Sequence, residues 1–239
     1  MKKGKLYLIP NTLGGEGIKS ILPEEVMQIT SSLRHFIVED IRSTRRLLRK
    51  IDRNFPIEEA LFLELNKHSS AHSIDQCINL LNKGIDFGLI SDAGCPGIAD
   101  PGADLISVAH ENTIEIKPFV GPSSILLALI SSGFSGQQFS FHGYLPKDRK
   151  DRVRKLKDFE ADTRRTGRTH IFMDTPFRNM HVLEDLLNEL ADTTMLCIAS
   201  SLTWEKESIK TRSVLQWREE AYDLSKLPTV FIIGKCQNA

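Results

Sequence analysis

Three short groups of residues have the types and spacing to do chemistry. The first is residues 89–102, LISDAGCPGIADPG, where an apolar run gives way to Gly94, Gly97 and Gly102, Pro96 and Pro101, and Asp92 and Asp100. Glycine lets backbone approach a ligand closely and proline holds a loop open. In parallel α/β sheets ligands sit beyond the carboxyl ends of strands, so a preshaped loop there builds a small-molecule site; a long structural turn is the alternative. The second group, Val38-Glu39-Asp40, ends another apolar run with two carboxylates. Either acid could accept a proton or hold a ribose, although acids at strand ends are also ordinary surface. In the third, Gly121-Pro122-Ser123-Ser124 opens an apolar helix, where hydroxyls and free amides could bind a carboxylate or simply cap the helix.

Other constellations point away from familiar chemistry. Gly14, Gly15 and Gly17, with Glu39 further on, imitate a dinucleotide fingerprint. That fingerprint needs its glycines to turn straight into a helix, whereas Pro10-Asn11 interrupts the strand exit and the helix-start signal comes only at Pro23, so a cradle of that type is rejected. His68 and His72 stand four apart, but Ser69 occupies the place of a zincin glutamate and no third ligand is evident; no metal is expected. Cys95 has no histidine placed beside it and reads as a packed thiol. Cys77, Cys95, Cys197 and Cys236 form no CxxC pair, which argues against a disulfide framework and a zinc ribbon and suits a reducing compartment.

The elements that must position these groups alternate apolar runs with amphipathic stretches, the pattern of an α/β chain with mostly parallel strands. Strands are predicted at 5–9, 36–38, 61–64, 87–90 and 114–117, then at 138–141, 169–173, 195–200, 205–211 and 229–234. Helices are predicted from Pro23 and at 42–50, 73–82, 103–111, 123–132, 150–160 and 177–190. The Pro118 to Pro122 link separates the two series, giving domains 1–118 and 119–239.

Lys and Arg number 31 and so do Asp and Glu, so net charge favours no partner class, and charge must be read locally. Arg42, Arg45, Arg46, Arg49, Lys50 and Arg53 against Asp52 give +5, several of them along one helix face. Residues 147–168 carry ten basic against five acidic residues, again +5, leaving −10 for the remainder. Two basic zones on a neutral chain could hold a phosphate backbone, or be solvated faces. With 41% hydrophobic and 26% charged residues the chain has ordinary globular composition, and its apolar runs are too short for a signal h-region or a membrane span; a cytosolic, membrane-free location is expected.

The segments EDIRSTRRLL (39–48), SDAGCPGIADPG (91–102), GPSS (121–124), FHGYLP (141–146) and DTPFR (174–178) occur in this order in the ribosomal small-subunit RNA methyltransferase I family, which the chain resembles over nearly its whole length. That family belongs to the tetrapyrrole-methylase-like, class III methyltransferases. The resemblance implies two α/β domains, S-adenosylmethionine in the interdomain cleft, a homodimer, and the 2′-hydroxyl of a cytidine in small-subunit (16S) ribosomal RNA as acceptor. Residue by residue, Pro10, Asp92, Ala93, Gly94, Cys95, Pro96 and Ile98 resemble the surroundings of the donor's methionine part, and Ser123 and Ser124 match the serine turn that holds the same donor. Met173, Thr175, Pro176, Ala199, Pro228 and Thr229 match the segments that meet adenine and ribose. Glu39, Asp40 or His68 would take the hydroxyl proton, and Arg42, Arg45, Arg46 and Arg178 would hold RNA. The sequence departs from the family at residues 10–17 and 64–69, where only His68 remains of a polar cluster. Other readings are a class III enzyme acting on a tetrapyrrole or another small molecule, and a non-catalytic S-adenosylmethionine- or RNA-binding protein.

Overall fold

Short strands that are apolar on both sides need cover on both faces, and helices on both faces supply it in the first half of the chain. The computed structural model describes residues 2–15, 17–65 and 70–236. The chain divides into two units, Met1–Ser123 and Ser124–Ala239. The Pro118 to Pro122 link stays with the first: Phe119 N–H donates to the Leu8 carbonyl, and a Cβ on Gly121 would lie 2.1 Å from Pro10 Cβ.

The first unit runs β1 (Lys5–Ile9), α1 (Ile18–Ile21), α2 (Glu24–Ser32), β2 (His35–Val38), α3 (Ile41–Ile51), β3 (Leu61–Glu64), α4 (Ser70–Asn82), β4 (Phe87–Ile90), α5 (Gly102–Glu111) and β5 (Glu115–Pro118). Its sheet is wholly parallel, in the order β3-β2-β4-β1-β5. The period-2 alternation of strand side chains sorts the core into two layers. Ile37, Phe87 and Leu89 pack with α4 and α5 on one face, while Phe36, Val38 and Ile90 pack with α2 and α3 on the other. Each fully buried side chain of this size contributes roughly 1.5–3 kcal/mol. Gly88 is small because Ile9 and Phe36 occupy the space its side chain would take. α1 corrects the sequence reading: a single helical turn starts directly after Gly17, before the start signal at Pro23. The strand order still differs from the dinucleotide-binding one, in which β1 lies beside β2.

The second unit runs α6 (Ser124–Ser132), β6 (Phe139–Tyr144), α7 (Arg149–Thr166), β7 (Thr169–Met173), α8 (Asn179–Glu189), β8 (Met195–Ser200), β9 (Ser208–Ser213), α9 (Val214–Arg218) and β10 (Thr229–Gly234). Here the expectation of mostly parallel strands fails. In the order β6-β7-β10-β8-β9 only β6 and β7 pair in parallel, and the other three ladders are antiparallel. The β8 to β9 link is too short for a crossover, and Thr203 and Glu207 close it as a turn, with Thr203 N–H donating to Glu207 Oε2 at 2.7 Å. That turn also moves β9 to later residues than predicted. α7 outruns its predicted end and stops at Gly167, which takes the left-handed conformation (φ 76°) that terminates helices.

A chain of ring contacts ties α7 to the edge of this sheet. His142 Nε2 lies 2.8 Å from His170 Nδ1, and His170 Nε2 lies 3.0 Å from Asp162 Oδ2, with Phe159 stacked on both rings. With both imidazoles neutral, His170 donates to the carboxylate and accepts from His142. Burial holds His142 down to about 4, with the neighbouring His170 adding to the effect, and burial also lowers His170.

Because the folded state resists protonation of both rings, their contribution to stability is complete above the ordinary histidine value of 6.5. It declines as the pH falls from there toward 4, where the unfolded chain binds protons that the folded chain refuses. Thermal melts between pH 7.5 and 4 should show the melting temperature falling over that window, and His142→Phe should flatten the fall.

Candidate functional site

At the carboxyl edge of the first sheet the chain leaves β2 toward β3 on one side and leaves β4 toward β5 on the other. Neighbouring strands whose connections part in this way open a crevice, the place where α/β sheets bind ligands. Residues 91–102 leave β4 at this edge and lead into α5. The loop is held by groups that are distant in sequence. Asn11 N–H donates to the Gly94 carbonyl at 2.9 Å, and Asn11 Nδ2 donates to the carbonyls of Ser91 and Asp92 at 3.1 and 3.0 Å. The Glu39 carboxylate, at the exit of β2, accepts from Asp92 N–H at 2.8 Å, and Ser43 Oγ donates to Asp92 Oδ1 at 2.8 Å. Asp100 closes the far side by accepting from Gly97 and Gly102 N–H, at 2.8 and 2.7 Å. Gly94 and Gly97 have φ of 70° and 83°, which is why a side chain is excluded there.

Within this loop Asp92, Ala93 and Ile98 are exposed, Gly94 and Pro96 are buried, and Cys95 is half-buried, with its thiol 3.4 Å from the Pro122 carbonyl. Pro10 is buried, and Ser123 and Ser124 are half-buried where α6 begins. The acids differ in what they can do. Asp40 is committed to α3, accepting at its N-cap from Ser43 N–H at 2.6 Å. Burial pushes the Glu39 carboxyl above the usual carboxylate range against the Asp92 amide that lowers it, and the Asp100 and Asp92 charges add to the rise. Burial raises Asp100 as well, and it keeps the Cys95 thiol protonated. Of the two paired acids, Glu39 has the environment of a proton acceptor. His68 lies outside the described residues.

In the second unit the reversal of β10 brings its start beside the ends of β7 and β8. Met173 and Ala199 both pair with Val230, Thr229 pairs with Ser200, and Pro228 accepts from Ser201 N–H. Thr175 and Pro176 follow β7 directly, in a turn where Asp174 Oδ1 accepts from Thr175 N–H at 2.6 Å. The residues expected to meet a nucleoside therefore gather at one end of this sheet. Asp174 Oδ2, Arg178 Nη1 and Ser201 Oγ, in the loops at that end, and Asn179 Oδ1, at the start of α8, are buried and have no hydrogen-bond partner among the described residues. Each such orphan costs about 1–3 kcal/mol, so the cluster suits a polar ligand with both donors and acceptors, and a nucleoside fits that description. Sequence reading named Asp100 in the glycine- and proline-rich loop without giving it a role, and gave no site role to Asn11, Asp174 or Ser201.

The two basic zones part company. Arg42, Arg45 and Arg46 are exposed on α3 and make no ion pair among the described residues; Arg45 lies over the Phe62 ring. On α7 the charge is largely consumed internally. Arg149 and Arg152 pair with Asp185, Arg149 and Lys157 with Glu189, and Arg165 and Arg168 with Asp162. Arg178, expected to meet RNA, instead pairs with fully buried Asp174 at 2.5 Å and donates to the Leu145 carbonyl.

The sequence profile of the family described as "Tetrapyrrole (Corrin/Porphyrin) Methylases" matches residues 25–216. Ribosomal RNA small subunit methyltransferase I of Vibrio cholerae is 31% identical over 237 residues, covering 98% of this chain and 78% of that protein. Its counterpart in Escherichia coli O157:H7 is 30% identical, covering 97% and 78%. Among solved structures, the methyltransferase CobJ superposes with a TM-score of 0.63 at 17% identity, over 97% of this chain and 94% of its own, a likeness of fold. No helix among the described residues is long and apolar enough to cross a membrane.

Asp174→Ala would leave the Arg178 guanidinium, three-quarters buried, without its counter-ion. The expected loss is about 3 kcal/mol in denaturant unfolding, and Asp174→Asn, which keeps an acceptor for Thr175, should lose less.

Proposed function

The chain belongs to the tetrapyrrole methylase family and, within it, to the ribosomal RNA small subunit methyltransferase I group, and from that membership we propose that it methylates the ribose 2′-hydroxyl of a cytidine in small-subunit ribosomal RNA. It is a class III methyltransferase dependent on S-adenosylmethionine. When bound, that donor supplies a methyl group activated on a sulfonium for in-line displacement, which leaves alignment as the main task of the protein. The residue assignments rest on the geometry of each unit taken by itself. The loop of residues 91–98 with Pro10 and Ser123 takes the methionine part, and the orphaned groups at the end of the second sheet suit the nucleoside part.

One observation carries the choice of acceptor. Glu39 directly follows β2 at its carboxyl end, and Arg42, Arg45 and Arg46 come within two turns of it on an exposed face that makes no ion pair among the described residues. A ribose hydroxyl is a poor nucleophile at neutral pH and sits in a chain of phosphates. A proton acceptor flanked by guanidinium groups is the arrangement that such an acceptor needs. Glu39 Oε2 is occupied by the Asp92 amide, and the other oxygen is the one that takes the proton.

The direct test is transfer of labelled methyl to deproteinised small-subunit RNA from a deletion strain, followed by nucleoside mapping. The expected product is 2′-O-methylcytidine; RNA that gains no label overturns the reading. Glu39→Gln keeps an acceptor for the Asp92 amide and loses the base, so turnover should fall about 10²-fold or more while calorimetry shows donor affinity unchanged. The acid limb of the rate profile should lie above the ordinary glutamate value, because burial raises Glu39. Replacing Arg42 and Arg46 by Ser should reduce the salt slope of RNA affinity by about 0.7 per lost phosphate contact.

A further inference from the structure

We infer that Tyr144 and Phe177 form a stacking platform for unpaired bases of the RNA, on the second unit. This inference rests on the RNA reading above. Phe177 is 81% exposed and Tyr144 55% exposed, so neither contributes to the core. They stand at one end of adjoining strands: β6 and β7 are parallel neighbours, Tyr144, the last residue of β6, pairs with Met173 at their carboxyl ends, and Phe177 lies in the turn that follows β7. Single exposed apolar residues are common on surfaces. What sets this pair apart is the rigidity of the backbone that displays it. Behind Tyr144, Leu145 is buried and its carbonyl accepts from Arg178, while the carbonyls of Pro146 and Lys147 accept from Arg152, itself buried against Asp185. Around Phe177, Asp174 holds Thr175, Arg178 N–H donates to the Thr175 carbonyl at 2.8 Å, and the Pro176 carbonyl accepts from Lys226 N–H.

An aromatic ring on an immobile loop gives contact area at little further entropic cost, and every base offers a face to it. Charge selects the occupant. Lys147 and Lys150, on the same segment as Tyr144, are exposed and make no ion pair among the described residues, unlike most of the basic residues that follow them on α7. Lysines beside exposed rings match a single strand whose phosphates run past its splayed bases, the form in which RNA bases are read. Arg178 acts here as a positioning residue: its guanidinium ties the Tyr144 loop to the Phe177 turn.

Equilibrium binding of a fluorescein-labelled, cytidine-containing single-stranded oligoribonucleotide to the full chain tests this, across a series of salt concentrations. Tyr144→Ala and Phe177→Ala should each weaken binding about tenfold and leave the salt slope unchanged, since stacking releases no counterions. Phe177→Trp should retain affinity, and RNA should quench its fluorescence. Donor affinity, measured by calorimetry, should be the same in all variants. If the wild type binds RNA and both alanine variants bind it equally well, the platform is wrong while the substrate reading stands. If the wild type binds the donor and no RNA, the substrate reading falls, and the platform with it.

Discussion

The exit of β4 is the constraint on which the first unit is organised. All four residues of that strand are buried between parallel neighbours, so its backbone is fully paired until Ser91, where the ladder ends. From there the chain must turn with several amides and carbonyls that have lost their ladder partners, and those shielded from water need new ones. Asn11, Glu39 and Asp100 provide them, from the exits of β1 and β2 and from the loop itself. The loop is thus fixed by three strand exits before any ligand arrives. A preorganised site of this kind loses little to reorganisation when it acts. Glu39 serves the backbone with one oxygen and stays half-buried, which is also what raises its affinity for a proton.

The second unit meets a similar demand differently. Its sheet is mixed, and antiparallel β10 delivers Pro228 and Thr229 to the end where β6, β7 and β8 finish. Some backbone groups there are satisfied internally, as when Asn179 Nδ2 donates to the Leu227 carbonyl. Several side-chain atoms find no partner among the described residues, and Ser201 and Thr203 hold φ of 52° and 67°, where side chains are seldom found. Unpaired buried polar atoms and backbone strain in one place are signs of a surface shaped for something other than stability.

Charge shows how far composition can mislead. The stretches around α3 and α7 each carry +5, yet among the described residues only the first makes no ion pair. Asp185 and Glu189 on α8 neutralise much of α7, and Asp162 and Glu160 engage its last turns. On α3 the buried Thr44, Leu47 and Leu48 face inward, and the arginines point outward. A run of like charge reports an interaction surface only when no acid from another element reaches it.

Strand positions, most helices and the glycine- and proline-rich loop at 91–102 were legible in the sequence, because apolar periodicity and backbone-special residues are local properties. The ordered motifs likewise carried the family. Local pattern left several matters open. It could not choose between Glu39 and Asp40, since one caps a helix and the other meets an amide brought to it by strand order. It gave no sign that Asn11 clamps a loop eighty residues away, that Arg178 turns inward to Asp174, or that β10 runs against its neighbours. A sequence encodes which residues prefer burial and which backbone shapes are allowed. Which polar group satisfies which is settled only when the sheet order places distant strand exits side by side.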